Sequence, residues 1–259
     1  MIFDSHIHTE FSADSEMKAA EALAAAEKQG IGLVFTEHLD AEYTSREGKT
    51  FSFAPHAYWR AYNHLRSDCL RLGVEIGMRE STRDFSEEFS RRVPFDQIIC
   101  SQHMVDDLDI YYPDYYEGKD KHTAYHRYFV QMAENLKAHA FANVLGHIDY
   151  ICRYAPYEDV NIDYAEFADE IDAVIKTAIT RDVVLEINTR RLGDRTALTK
   201  LAPIYKRYQE MGGHFVTLGS DAHTPDAVGA HLKLAYDFAE SLKLTPVTFR
   251  QQHMVNSQK

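Results

Sequence analysis

The sequence predicts an α/β fold built on a parallel sheet, most simply a closed barrel, and three observations carry that prediction. Short apolar runs alternate with helical patterns along the whole chain, seven such runs are followed by a helical segment, and no linker or composition break separates them. The runs are continuously apolar, as in Leu33-Val34-Phe35 and Ile98-Ile99, which is the signature of strands buried on both faces and joined by right-handed crossovers. An open, doubly wound sheet is the alternative topology. At 259 residues and 45% apolar content, the chain fits a single domain over 1–259 with a substantial core.

Taken in order, a strand at 2–5 is followed by an alanine-rich helix at 16–29, with Met17 and Leu23 at helical spacing and Gly30 to close it. Strands at 31–36, 73–77, 97–101, 144–147, 183–187 and 214–219 then alternate with helices at 58–72, 82–91, 121–138, 164–181, 199–211 and 231–242.

Six of the fourteen histidines stand at or just beyond the carboxyl ends of the apolar runs. In Asp4-Ser5-His6-Ile7-His8, alternation along an extended strand puts both imidazoles on one face, where they can share a cation. Further on, Thr36 leads into Glu37-His38, Ser101 into Gln102-His103, Gly146 into His147, and Gly219-Ser220 into Asp221-Ala222-His223. Barrels build their chemistry at that end of the strands, from several strands at once, so a buried cluster of metal ions is the leading expectation. The remaining histidines, among them His122, His126 and His139, fall in helices, at strand starts or near the tail and serve as an internal control.

The formal charge of −12 disfavours sequence-independent binding to nucleic acid, which needs a basic face. A small anionic substrate is still allowed, because divalent cations make a positive pocket inside an acidic protein. Cys69, Cys100 and Cys152 are odd in number and widely spaced, which disfavours a disulfide framework and a thiolate zinc site and leaves nitrogen and oxygen ligands. No run approaches the roughly 18 apolar residues of a membrane span, and Met1 leads straight into a strand, so a soluble, cytoplasmic protein is expected.

Together the motifs resemble the PHP family, named for polymerase and histidinol phosphatase, and most closely its histidinol-phosphate phosphatase branch. The resemblance spans nearly the whole chain. It rests on Asp4-Ser5-His6-Ile7-His8, Thr36-Glu37-His38, Gly73-Val74-Glu75, Ser101-Gln102-His103 followed by Val105-Asp106-Asp107, Leu145-Gly146-His147-Ile148-Asp149, Glu186-Ile187-Asn188-Thr189, and Gly219-Ser220-Asp221-Ala222-His223. It implies a distorted, TIM-like (β/α)7 barrel with three divalent ions, zinc, manganese or iron, at the carboxyl ends of the strands.

The same resemblance implies that His6, His8, Glu75 and Asp221 hold one ion, that Glu75, His103 and His147 hold a second with Glu75 bridging, and that Asp14, His38 and His223 hold the third. Glu80 is the alternative bridge, although its place suits the first-turn acid of the next helix. Arg153 and Arg190 are implied to grip the phosphate, with Arg191 as the alternative to Arg190. Three acids against three divalent ions leave an excess of positive charge, which suits a small-molecule phosphate monoester. A water bridging the first two ions would attack phosphorus in line, with Glu75, His38 and Asp221 in catalytic positions. His38, Asp106 or a metal-bound water would protonate the leaving group, and Asp4, Asp40 and Asp149 are candidates to anchor the imidazoles.

Blander readings accompany each feature. A single histidine at a strand end is more often structural than ligating, and only the six joined by three acids reverse that. His122 and His126 read as surface residues, Glu87-Glu88 with Arg91-Arg92 as a solvated helix face, and Arg153 and Arg190 as alternatives for rim salt bridges. Tyr111-Tyr112-Pro113-Asp114-Tyr115-Tyr116 either stacks on a substrate ring or packs a loop. Three functions follow: hydrolysis of L-histidinol phosphate to L-histidinol and phosphate in histidine biosynthesis, as the branch implies; a PHP-type phosphoesterase acting on a nucleotide, phosphodiester or DNA end; or a metal-binding module without catalysis.

Overall fold

The computed structural model describes residues 1–257. Its strands are β1 (Phe3–Ile7), β2 (Gly32–Leu39), β3 (Leu70–Gly77), β4 (Gln97–Ser101), β5 (Met104–Val105), β6 (Leu108–Asp109), β7 (Val144–Leu145), β8 (Val184–Asn188), β9 (Phe215–Gly219), β10 (Thr245–Arg250) and β11 (His253–Asn256). The helices are α1 (Ala19–Gln29), α2 (Pro55–Tyr62), α3 (Arg83–Ser90), α4 (Lys121–Ala138), α5 (Ala168–Thr180), α6 (Arg195–Glu210) and α7 (Leu232–Ser241).

The fold is α/β with a mostly parallel sheet. Nine strands run in the order β1-β2-β3-β4-β7-β8-β9-β10-β11, and every neighbouring pair is parallel except β10–β11. The order follows the chain and never reverses, unlike that of a doubly wound sheet. β1 also meets the end of β9: Asp221 N donates to His6 O at 2.7 Å and His8 N donates to Ala222 O at 2.8 Å.

All seven expected strands are present, and two more follow them. Thr245–Arg250 extends the parallel sheet and turns back into His253–Asn256 as an antiparallel pair. The seven-strand count is therefore corrected to eight parallel strands and one antiparallel. Pro246 had masked the signal, since a proline in a strand pattern argues against a central strand. The helix expected at 58–72 ends at Tyr62 and gives way to a short 3-10 turn and then β3. Leu70 and Leu72 suit either period, and tertiary context decides: Arg71 donates across the sheet to Thr248 Oγ1 at 2.8 Å.

The core has two parts. Ile98 joins the large cluster between sheet and helices, while its neighbour Ile99 joins a small cluster with Val144, Val184, Val247 and Phe249 on the other face. Register places Glu75 beside Ile99 and His38 beside Glu75, so the acid at the end of β3 rises from this inner, strand-only cluster. Among the described residues, no helix is long and apolar enough to cross a membrane, and the three cysteines are free.

Candidate metal centre

Glu75 occupies the middle of the strand-end cluster, fully buried. Its Oε1 accepts from Ser101 Oγ at 2.7 Å and lies 2.8 Å from His147 Nε2 and 3.3 Å from His103 Nε2. Its Oε2 lies 3.0 Å from His38 Nδ1, 3.2 Å from His6 Nε2 and 3.4 Å from His8 Nε2. Glu80, the alternative, is exposed in a 3-10 turn.

The other expected ligands close around this acid. His6 Nε2 and His8 Nε2 are 3.1 Å apart, and Asp221 Oδ1 lies 3.4 Å from His8 Nε2 and 3.9 Å from His6 Nε2. Asp14 Oδ2 lies 3.1 Å from His223 Nε2 and 3.6 Å from His38 Nε2. All nine side chains thus converge at one rim, contributed by β1, β2 and β3 and by the segments that follow β1, β4, β7 and β9.

The donor set fits divalent ions. Ligand atoms held about 2.0–2.2 Å from one ion stand within about 4.4 Å of each other. His6, His8 and Glu75, and likewise Glu75, His103 and His147, offer ligand atoms within 4.8 Å of one another, as do His8, His38 and His223. Glu75 Oε2 and His38 Nδ1, both buried and side by side, make no hydrogen bond with good geometry, a shortfall that a bound ion would satisfy.

Electrostatics agree with the geometry. Burial disfavours ionised Glu75, yet His6, His38 and His103 outweigh it and hold the carboxyl well below its usual range; Arg153 and His6 do the same for buried Asp221. Burial, with His38 and His223 nearby, keeps His8 neutral, the form that ligates, and burial also lowers His147. His6, His38 and His103 are pushed up against burial by the surrounding carboxylates, His103 to about 10. These three positions call for positive charge, which a cation supplies while displacing the proton.

The anchors of the imidazoles are partly those expected. His103 Nδ1 pairs with Asp40 Oδ1 at 2.9 Å. Asp4 touches no imidazole; it accepts from Ser220 N and Gly229 N, each at 2.8 Å, and ties the first strand to the loop between β9 and α7. Asp149 pairs instead with Arg191 Nη1 at 3.0 Å. The anchor that the sequence did not disclose is Glu186, whose Oε1 lies 2.8 Å from His6 Nδ1 while its Oε2 accepts from His147 N at 2.7 Å. Ser12 supports His8 Nδ1 at 3.1 Å and itself donates to buried Glu37 at 2.7 Å. Two glycines make room for this shell. A Cβ at Gly77 would stand 1.9 Å from Asp40 Oδ1, and one at Gly219 would stand 2.3 Å from Glu186 Oε1. Asp221 itself adopts φ 55°, a left-handed conformation that costs a non-glycine about 1–2 kcal/mol and is held by its bond to His6 O.

Two adjoining cavities open over the cluster. The smaller, about 250 Å³, is lined by ligands together with Arg153 and Arg190. Arg153 is 7% exposed and donates to Asp221 Oδ2 at 2.6 Å and Asn188 Oδ1 at 2.9 Å; Arg190 is 46% exposed and only 3.7 Å from Asp221 Oδ2. Arg191 is turned away, onto Asp149 and Asn161. Asp106 lies outside both cavities, exposed and paired bidentately with Arg127, so it has no access to a leaving group.

The larger cavity, about 420 Å³, runs from Asp14, His38 and His103 outward beneath two loops, residues 41–51 and the β5–β6 hairpin with the segment after it. The tyrosine-rich stretch divides: Tyr111 and Tyr112 line the cavity, whereas Tyr115 and Tyr116 are buried and pack the loop. His126 is an exposed partner of Glu170, away from the cluster.

Residues 4–190 match the PHP domain family. A Clostridium acetobutylicum protein described as a probable histidinol-phosphatase is 42% identical over 98% of this chain and 99% of its own length. A Lactococcus lactis histidinol-phosphatase is 30% identical over 85% of this chain and 83% of its own. A crystal structure of the Lactococcus lactis histidinol phosphate phosphatase in complex with zinc, L-histidinol and phosphate superposes with a TM-score of 0.90 at 26% identity, covering 98% of this chain and 99% of that one.

Proposed function

This chain belongs to the PHP domain family, and from that premise we propose that it is a metal-dependent phosphatase that hydrolyses L-histidinol phosphate to L-histidinol and phosphate. The observation that carries the reading is the junction of the two cavities: nine clustered candidate ligands and two arginines on one side, a partly aromatic cavity with room for an alcohol on the other. The place in histidine biosynthesis follows from the same reading.

When bound, up to three divalent ions, zinc, manganese or iron, supply the charge that activates water and neutralises the ester oxygens. The residues of the chain do the rest. His6, His8, Glu75 and Asp221 would hold one ion, Glu75, His103 and His147 a second, and Asp14, His38 and His223 a third. Glu75 stays ionised at the shared position because three imidazoles face it. Glu186 and Asp40 fix the rings of His6 and His103, so the ligands are oriented before substrate arrives. Arg153, almost out of water, presents a guanidinium toward the smaller cavity and also steers Asp221; Arg190 adds a second, half-exposed contact to the phosphate. Asp14, His38 and His223 line the smaller cavity, so the ion they would hold would supply a water to protonate the departing alkoxide.

We further read the sheet as a distorted barrel and the chain, 1–259, as one catalytic domain. Support comes from the unreversed strand order and from the backbone bonds that tie β1 to the end of β9. The activity is tested by phosphate release from histidinol phosphate, AMP, a phosphodiester and p-nitrophenyl phosphate, with metal content measured on the same sample. A preference for histidinol phosphate of well over tenfold in kcat/KM is expected. A nucleotide or diester in first place, or full activity after complete chelation, would overturn the reading.

A further inference from the structure

The phosphate end of the substrate is accounted for by ions and arginines; the alcohol end is not. Resting on the histidinol-phosphate reading, we propose that Asp109, oriented by Tyr43, is the specificity-determining residue that accepts the imidazole N–H of the alcohol in the larger cavity.

Four facts lead there. The cavity of about 420 Å³ shares His103, Tyr150 and Tyr154 with the smaller, arginine-bearing one, so a phosphate held by Arg153 directs its alcohol into this chamber. Its walls offer aromatic faces to a flat ring: Tyr150 lies tilted against His103 at 4.9 Å between centroids, and Tyr111 meets Tyr154 at 4.9 Å nearly edge-on. Its acids are not equivalent. Asp14 and Asp40 are engaged by imidazoles of the cluster, and Glu47 sits on an exposed loop, bonded to Tyr112 Oη at 2.9 Å. Asp109 is half-buried, accepts from Tyr43 Oη and from Tyr111 N at 2.8 Å, and belongs to the short hairpin that starts beside His103.

Two donors leave a carboxylate with lone pairs to spare. In histidinol phosphate the ammonium branches from the carbon next to the ester CH2, whereas the imidazole hangs one carbon further out. The ring, not the ammonium, therefore extends into the aromatic chamber. A carboxylate beside an imidazole also favours its cationic form, which strengthens the bond. Tyr43 belongs to one loop over the cavity and Asp109 to the other, so their hydrogen bond closes the roof and aims the acid at once.

The test compares wild type, Asp109→Asn, Tyr43→Phe and the exposed control Asp107→Asn on three esters: histidinol phosphate, its des-amino analogue imidazolylpropyl phosphate, and p-nitrophenyl phosphate. Bound metal is assayed throughout to show that the ion centre is intact. For Asp109→Asn, kcat/KM for both imidazole esters relative to p-nitrophenyl phosphate falls about 30-fold, the loss expected for a charge-assisted bond, mainly through KM. Tyr43→Phe lowers the same ratio by a smaller factor, and Asp107→Asn leaves it unchanged. An unaltered ratio in Asp109→Asn with full metal content overturns the proposal. So does a loss for histidinol phosphate that spares the des-amino analogue, since that outcome assigns Asp109 to the ammonium. If wild type itself does not prefer histidinol phosphate, the proposed function fails first, and that result is separate from any effect of Asp109.

Discussion

The two walls of the active site are built in opposite ways. The inner wall consists of strand-end side chains: His6, His8 and Glu75 show no solvent exposure, and each is locked by partners that are themselves buried. The outer wall consists of residues 41–51 and the segment that follows β5, joined across the cavity by surface groups. Arg46 pairs with Asp114 with both about half exposed and lies 4.2 Å over the Tyr112 ring, and Tyr112 Oη donates to Glu47. Buried charges keep their strength because water and salt do not screen them, whereas exposed ones lose most of it. Fixed charge thus stands where the ester is cleaved, and adjustable contact where the alcohol is selected.

Substitutions on either side should separate the walls, beginning with the largest effect. Glu75→Gln removes the charge shared by the inner wall; activity is expected to fall by about 10³-fold or more with loss of bound metal, while Glu80→Gln does neither, as read by phosphate release and elemental analysis. The opposite pattern would move the bridge to Glu80. Next come the arginines. Arg153→Met is expected to lower kcat/KM by about 10²–10³-fold, because a desolvated donor is lost and Asp221 is freed, and Arg190→Met by only about tenfold. Equal losses would erase the distinction between a buried and an exposed phosphate contact. Smallest is the outer latch: Arg46→Ala is expected to change KM for histidinol phosphate by no more than about threefold, with an effect that vanishes in ~0.5 M salt. A loss as large as that of Arg153→Met would show the roof to be part of the catalytic frame.

The inner wall was largely legible in the sequence because strand periodicity is local. An apolar run fixes where a strand ends, and His6, His8, His38, His103, His147 and His223 stand at those ends. What supports them was not legible. Glu186 lies 180 positions from His6, and nothing near either residue announces their contact. Asp4 and Asp149, both adjacent to the right motifs, went to backbone amides and to an arginine, since sequence proximity does not fix which way a carboxylate turns. The outer wall carried one overlooked signal. Asp106 and Asp107 both take positive φ, 51° and 61°, in the two-residue turn joining β5 to β6, a place where asparagine and glycine are the usual markers. That hairpin presents Asp109.

The glycines that flank the anchors have a genetic consequence. At Gly77 a single added methyl would collide with Asp40, and at Gly219 with Glu186 and with the Cβ of His6, 2.5 Å away. Glycine becomes alanine by one base change in any of its codons, so both sites lie a single mutational step from a blocked catalyst. Histidine auxotrophs selected from a random library should therefore carry alleles at these two codons as well as at the ligands.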